Sequence, residues 1–206
     1  MKKQVFFLFL TVTLLSGIAW AQDRPDALEK YRNGQYEEAV SICLNELEQM
    51  PRNMDSYTVL GWSLVRLGRY REALEYGRLA LQISRYDHRI IQNMGEAHYY
   101  LGNYLEALRY FEEYASLAPS GARINLVYYF MGEIFISLEE YHHSDIAFTT
   151  ALYHSPNNAG WWQRTGYARE MAGNYSGAKT AYEKALSLNP SLQDASRGIA
   201  RVEARL

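Results

Sequence analysis

One residue of this chain recurs at an almost constant interval. The residue is tyrosine, and its five copies are Tyr36, Tyr70, Tyr104, Tyr141 and Tyr175, called here the register tyrosines. Successive copies are separated by 34, 34, 37 and 34 residues. A fixed period near 34 is typical of an array of similar supersecondary units, each of which buries its apolar face against its neighbours. The period therefore predicts a repeat architecture before any local pattern is considered.

Glycine, alanine and proline stand at fixed distances from the register tyrosines. Four of the five have a glycine two residues earlier, and four have a proline fifteen residues later. A glycine at that position permits a sharp bend between two helices, and a proline ends the second helix. Apolar residues recur at helical spacing on both sides of the bend, so each unit is predicted to be two helices of about 12–15 residues. The residue three places after each tyrosine is always small: Ala39, Ala73, Ala107, Ser144 and Ala178.

Aligned on these positions, the chain resembles the tetratricopeptide repeat family. That family combines Leu-Gly in the first helix with alanine, an aromatic residue and proline in the second. The resemblance is carried by Leu60, Gly61, Ala73, Met94, Gly95, Ala107, Phe111, Pro119, Gly132, Phe148, Pro156, Trp162, Gly166, Ala178, Tyr182 and Pro190. It implies an all-α fold, a right-handed α-solenoid of about five helix pairs. The predicted units span about 22–53, 54–87, 88–121, 125–158 and 159–190. Residues 191–206 are predicted to form a C-terminal capping helix with Ser191 as its N-cap.

The sequence departs from regular repetition at two places. Three extra residues lie near Ser120-Gly121-Ala122, between the third and fourth units. They either change the pitch of the stack locally or form a tolerated surface loop, and the loop is the simpler interpretation. The fourth unit also has Glu139 in place of the turn glycine and Ser144 in place of alanine. These two changes predict that its helices cross less tightly.

The first 21 residues have the pattern of a secretory signal peptide. Lys2 and Lys3 precede an apolar run, and Ala19-Trp20-Ala21 has the small-x-small pattern of a cleavage site. We therefore expect an exported, periplasmic bacterial protein. An uncleaved anchor in the inner membrane is the alternative, although residues 5–21 are shorter than the roughly 20 residues that span a bilayer.

Charge and motif content argue against several classes of function. The formal net charge is −2 and there is no basic block, which disfavours nucleic-acid binding. Cys43 is the only cysteine, so it cannot form an internal disulfide, and a buried thiol is expected. No zinc-protease motif, phosphate loop or dinucleotide fingerprint occurs in the sequence. We expect no metal, no cofactor and no catalytic residues.

The resemblance implies that first helices line the inner surface of the solenoid, and helical projection selects the residues that face it. These candidate groove residues are Trp62, Arg66, Gln92, Glu96, Tyr99, Tyr100, Tyr129, Glu133 and Tyr167. Tyrosine, tryptophan and arginine dominate interface hot spots. The sequence thus predicts a non-enzymatic protein–protein interaction scaffold of the bacterial cell envelope that binds a peptide or partner protein in its concave groove.

Several alternatives to this interpretation stay open. Some of the candidate aromatic residues could pack between repeats, and Glu96 and Glu133 could face each other as an acid–base pair. The chain could be an accessory subunit of a solute uptake system with a small-ligand pocket. It could also self-associate through the weakly conforming first unit. The register tyrosines themselves are expected to wedge between helices of neighbouring units and so to specify the fold.

Overall fold

The structure is a computed structural model that describes residues 26–206, so the predicted signal peptide lies outside the described residues. Residues 26–206 form eleven α-helices and no β-strand. The helices are α1 (Ala27–Arg32), α2 (Tyr36–Gln49), α3 (Met54–Arg66), α4 (Tyr70–Ile83), α5 (His88–Tyr100), α6 (Tyr104–Leu117), α7 (Ile124–Ser137), α8 (Tyr141–His154), α9 (Ala159–Met171), α10 (Tyr175–Leu188) and α11 (Gln193–Glu203). Each helix packs against its neighbours in the chain, and α3 also contacts α5. The all-α solenoid of helix pairs is therefore confirmed.

The register tyrosines mark the beginning of the second helix in every unit. Helices α2, α4, α6, α8 and α10 all begin at one of them. The glycines two residues earlier have φ angles between 75° and 80°, the left-handed region that favours glycine. The G-x-Y pairs are therefore the turns that join the two helices of a unit.

The fourth unit is as tightly packed as its neighbours, so the expectation of a looser crossing is wrong. A Cβ added to Gly132 would lie 2.6 Å from the Phe148 ring, and one added to Gly95 would lie 2.5 Å from Phe111. Ser144 is fully buried and its hydroxyl donates to the Gly132 carbonyl at 3.0 Å. Glu139 has a φ angle of 61°, so it takes the left-handed conformation of the glycine it replaces. The fourth unit therefore preserves the turn geometry of the other units. The backbone at Glu139 is strained as a result, because this residue is not a glycine.

Buried apolar residues occur in every unit, and the core of the first units contains the single thiol. Cys43 is fully buried among the apolar side chains of the first two units, as expected. Burial raises the pKa of the Cys43 thiol to about 12, so it remains protonated and unreactive at neutral pH. Within residues 26–206, no helix is long and apolar enough to cross a membrane.

First helices begin with a side-chain cap in four of the five units. Asp26, Asn53, Asp87 and Asn158 each accept a hydrogen bond from a backbone N–H of the first turn. Such caps satisfy donors that have no partner within the helix. Helix α7 has Arg123 at the same position, and its side chain makes no cap bond. The arginine side chain is directed elsewhere.

Helix α11 closes the array as predicted, but its cap differs. Ala195 and Val202 are fully buried against the last helix pair. Ser191 does not cap the helix, because its hydroxyl donates to the Asn189 side chain at 2.7 Å and α11 begins at Gln193. The Ser191 hydroxyl, which was predicted to cap α11, is instead bound by the side-chain carboxamide of Asn189.

Candidate binding site

A cavity of about 270 Å³ lies between the first helices α1, α3, α5 and α7 and is called here the first-helix cavity. Six of the nine candidate groove residues line it: Trp62, Arg66, Glu96, Tyr99, Tyr100 and Tyr129. The lining is completed by Tyr31, Arg123, Leu126 and Phe130. Helical periodicity therefore selected residues most of which lie around one continuous cavity.

The walls of the first-helix cavity are aromatic rings that pack on one another. The Tyr99 ring lies 4.9 Å from Phe130, and Tyr31 lies 5.6 Å from Trp62, measured between ring centroids. Tyr100 is the most accessible ring, with 48% of its surface exposed, whereas Phe130 is buried and the other rings are partly buried. The alternative that some of the candidate aromatic residues pack between repeats is thus correct in part. Tyr100 is the one aromatic side chain that the cavity presents prominently to solvent.

Two register tyrosines pack against these rings, and one of the two contacts joins neighbouring units, as the wedge interpretation predicts. Tyr70 stacks on Tyr100 with centroids 5.0 Å apart. The Tyr104 ring lies 6.1 Å from Tyr99. These two register tyrosines therefore hold first-helix aromatic residues in place, so they contribute to the site indirectly.

Gln92 lies beneath the floor of the cavity, and Glu96 forms part of its lining. Gln92 is fully buried, so the prediction that it contacts a partner directly is wrong. It accepts from the Trp62 indole N–H at 3.4 Å and donates to the Glu96 carboxylate. Glu96 has only 6% of its surface exposed and accepts from Arg123 Nη2 at 2.9 Å. Helical projection selected Gln92 because its position on α5 is in register with the other candidate groove residues. Helix α3 packs closely against α5 there and covers the Gln92 side chain.

Burial controls the protonation of the groups in the cavity. Loss of solvent raises the pKa of the Glu96 carboxyl, while Arg123 and Gln92 oppose that shift. Burial likewise raises the pKa of Tyr99 to about 12, and it raises the pKa values of Tyr100 and Tyr129. The tyrosine hydroxyls, which are ordinarily protonated at neutral pH, stay protonated to still higher pH.

Arg123 is the principal residue that sequence reasoning missed. Its guanidinium lies 5.5 Å from the centroid of the Trp62 ring, a cation–π distance. Its backbone N–H donates to the Tyr114 hydroxyl at 3.2 Å, which fixes the end of the inserted loop. The three-residue insertion is thus a packed turn that delivers an arginine to the cavity. The sequence did contain a sign of this, because Arg123 precedes α7 where other units carry the Asp or Asn cap.

Glu133 and Tyr167 lie outside the first-helix cavity. Glu133 accepts two hydrogen bonds from Arg164, both 2.6 Å long. The Arg164 guanidinium also lies 5.3 Å from the centroid of the Tyr167 ring. Glu96 and Glu133 are each paired with their own arginine, which argues against a shared acid–base pair.

Tyr167 lines a separate cavity of about 500 Å³ between α9, α10 and α11, called here the C-terminal cavity. There Glu170 accepts from Arg201 at 2.6 and 2.8 Å and from the Tyr182 hydroxyl at 2.7 Å. The hydrogen bond from Arg201 lowers the pKa of the Glu170 carboxyl. The Glu170 carboxylate of this cavity is therefore fully engaged by its neighbours.

No metal-binding arrangement is found among the described residues. Groups of three or more His, Cys, Asp or Glu side chains suited to a metal ion do not occur in residues 26–206. The candidate site consists of aromatic rings, one leucine, two arginines and one buried carboxylate, and this set does not resemble a catalytic constellation.

Two family models, both described as tetratricopeptide repeats, match the sequence. One covers residues 26–88, and the other covers residues 88–120 and 159–192. Neither match includes residues 121–158, the stretch that contains most of the insertion and Glu139. No curated protein matches the chain.

Solved structures with similar folds share little sequence identity with the chain. MamA from Desulfovibrio magneticus RS-1 is 20% identical with a TM-score of 0.67, covering 74% of this chain and 84% of that one. PilW, titled a widely conserved type IV pilus biogenesis factor, is 19% identical with a TM-score of 0.72, covering 87% and 88%. A thermophilic tetratricopeptide repeat protein of Thermus thermophilus is 18% identical with a TM-score of 0.63, covering 86% and 95%. These likenesses concern the fold alone, and with the matched repeats and the helix pairs they identify the chain as a member of the tetratricopeptide repeat family.

Proposed function

We propose that this protein is a non-enzymatic interaction scaffold of the bacterial cell envelope that binds a partner segment over the first-helix cavity. The observation that carries the proposal is the composition of the cavity, in which Trp62, Tyr100 and Arg66 surround one depression. These are the residue types that dominate protein-binding hot spots. Tyr100 and Arg66 are exposed, so a partner can reach them without a rearrangement of the fold.

A small-ligand pocket is the weaker alternative. The cavity volume of about 270 Å³ lies below the roughly 300–1,000 Å³ typical of ligand sites. Three charged side chains line it, whereas pockets for apolar or amphiphilic solutes are predominantly apolar. Both features favour recognition of an extended polypeptide over enclosure of a solute.

Photo-crosslinking in intact cells tests the binding face. A photoreactive amino acid at position 100 is expected to capture a defined protein, because the side chain there is exposed at the cavity rim. The control position is 153 on α8, where Tyr153 is 83% exposed but outside the cavity. Trp62→Ala should abolish capture from position 100 while circular dichroism shows unchanged helicity. Equal capture from both positions, or capture that survives Trp62→Ala, would contradict the proposal.

The proposed location in the envelope rests on the N-terminal pattern and needs a separate test. Cleavage after Ala21 predicts a mature protein that begins at Gln22 and is recovered from the periplasmic fraction. Intact mass and N-terminal sequencing of the protein from a bacterial host measure this directly. A full-length protein in the membrane fraction would instead support the anchored alternative.

A further inference from the structure

We infer that the first-helix cavity selects a side-chain carboxylate, supplied by an aspartate or glutamate within the bound segment of the partner. This inference rests on the proposed function and deepens it by naming the chemistry of the occupant. It follows from the charge balance, the unsatisfied hydrogen-bond donors and the ring surfaces of the cavity.

The charges that line the cavity do not cancel. Arg66 and Arg123 contribute two positive charges, and Glu96 contributes one negative charge. Glu96 is already engaged by Arg123 at 2.9 Å. Arg66 is exposed and forms no ion pair with any residue in the range 26–206, and its one hydrogen bond reaches the Tyr36 hydroxyl at 3.4 Å. An excess positive charge in a partly desolvated cavity favours an anionic group.

Arg123 has unused donor capacity at the same place. Its Nη2 donates to Glu96, but its Nε–H is buried and has no acceptor among residues 26–206. A buried donor without a partner is unfavourable, and an arginine guanidinium binds a carboxylate through two parallel N–H donors. A carboxylate that enters beside Glu96 and displaces the side chains covering the Nε–H would satisfy this donor and gain the attraction of Arg66.

The tyrosines complement an anion in the same way. Tyr99 and Tyr100 keep their hydroxyl protons at neutral pH, as tyrosine ordinarily does, and burial raises their pKa values further, whereas the Tyr129 hydroxyl is hydrogen-bonded to Glu133. A partner cation is disfavoured, since the Trp62 face is already covered by the Arg123 guanidinium. The cavity thus presents hydroxyl and guanidinium donors, and its one carboxylate is nearly inaccessible.

The aromatic surface spans the whole cavity and continues past it onto α9, which favours an internal segment over a chain terminus. Within the lining Tyr31 packs on Trp62, and beyond it Tyr129 stacks on Trp161 of α9 with centroids 5.1 Å apart. A segment laid across the first helices can therefore pass over the cavity and continue onto α9. The carboxylate then comes from a side chain.

Selection from a displayed library of short random peptides tests the inference. Selected peptides are synthesised with acetylated N-termini and amidated C-termini, so that side chains supply the only carboxylates. We expect enrichment of aspartate or glutamate, and replacement of that residue by its amide should weaken binding about tenfold, as for the loss of one charge-assisted hydrogen bond. Binding that requires a free C-terminal carboxylate, or a selection dominated by basic or neutral peptides, would overturn the inference.

Two variants shift the affinity of an acidic peptide in opposite directions. Arg66→Gln should weaken it about tenfold, because it removes the excess charge. Glu96→Gln should strengthen it, because it frees Arg123 for the ligand and preserves the shape of the side chain. Arg71→Gln is the matched control, since Arg71 is exposed on the second helix α4, and it should leave binding unchanged. A cation-selective cavity would reverse the order of the first two variants.

The outcomes also separate this inference from the proposed function. If no selected peptide depends on Trp62, the first-helix cavity is not the binding site and the proposed function fails. If binding depends on Trp62 but responds neither to Arg66→Gln nor to loss of the peptide carboxylate, the binding site stands and the carboxylate selectivity fails. Thermal unfolding of every variant confirms that the comparison is made among folded proteins.

Discussion

The first-helix cavity and the C-terminal cavity are built from the same residue types and differ in charge balance. Both contain tyrosines, a largely buried glutamate and arginines on neighbouring helices. In the C-terminal cavity, Glu170 is saturated by Arg201 and Tyr182, while Arg164 is committed to Glu133. In the first-helix cavity, one glutamate faces two arginines.

This contrast shows how one repeat scaffold separates structural polar groups from groups available to a partner. A balanced pair with short, two-point hydrogen bonds is already satisfied, so a ligand gains little by competing with it. An unpaired guanidinium and a buried N–H without an acceptor can gain from a ligand. We therefore expect substitutions in the C-terminal cavity to change stability, and substitutions in the first-helix cavity to change binding.

The largest expected effect is a loss of stability from Tyr182→Ala. The Tyr182 ring is almost fully buried, and Cβ atoms added to Gly166 and Gly198 would both lie within 2.6 Å of it. Removal of a buried aromatic ring lowers the free energy of unfolding by about 3–5 kcal/mol, which urea denaturation measures. Tyr182→Phe loses only the hydrogen bond to Glu170 and should cost about 1 kcal/mol. Peptide binding at the first-helix cavity should survive both changes, and its loss in a folded variant would break the distinction.

The next effect compares two arginines directly. Arg164→Ala leaves Glu133, whose side chain is 12% exposed, without its partner, and should lower the free energy of unfolding by about 2 kcal/mol. Arg66→Ala removes an exposed side chain that forms no ion pair within residues 26–206 and should change that free energy by less than about 0.5 kcal/mol. Urea denaturation of both variants measures the difference. Equal losses would show that the two arginines have equivalent roles.

A third change alters stability without touching either cavity. Glu139 holds a left-handed φ of 61° in the turn between α7 and α8. Glu139→Gly should raise the free energy of unfolding by about 1 kcal/mol, because glycine adopts this conformation without steric cost. Gly102→Ala, at the equivalent turn with a φ of 76°, is the matched reverse change and should lower it by a similar amount. A peptide affinity that follows these stability changes would indicate that the first-helix cavity is not an independent unit.

The smallest effect is a pH dependence of opposite sign in the two cavities. Burial raises the pKa of Glu96 above 4.5 in the folded protein, so its contribution to stability falls as the pH rises above 4.5. The hydrogen bond from Arg201 lowers the pKa of Glu170 below 4.5, so its contribution is lost as the pH falls below 4.5. The free energies of unfolding of Glu96→Gln and Glu170→Gln, each subtracted from the wild-type value across this range, should show these opposite trends. Parallel trends would contradict the difference in charge balance.

The fold was largely predictable from the sequence because its determinants are local. The register tyrosines and the turn glycines fix helix starts and bends through backbone conformation, and the structure places all five second helices accordingly. Helical projection also selected most of the first-helix cavity, since residues on one face of a helix share an environment. Its errors arose where packing between units decides exposure, as for Gln92, which the neighbouring helix covers.

Arg123 illustrates what the sequence could not provide. Its role depends on the path of the inserted turn and on a contact between its backbone and Tyr114 of the preceding helix. Neither the period nor the family pattern describes that path, because the insertion interrupts both. Packing between units also explains why Tyr167 and Tyr129 lie at different cavities. Arg164 pairs with Glu133 and also contacts the Tyr167 ring.

The most direct test of the account places one photoreactive amino acid at position 100 or at position 167 in otherwise identical proteins. Both positions hold tyrosines on first helices, and the sequence alone treats them as equivalent. Position 100 lines the first-helix cavity and position 167 lines the C-terminal cavity. The account predicts that a partner is captured in intact cells from position 100 and not from position 167. Capture of the same partner from both positions, or from position 167 alone, would contradict it.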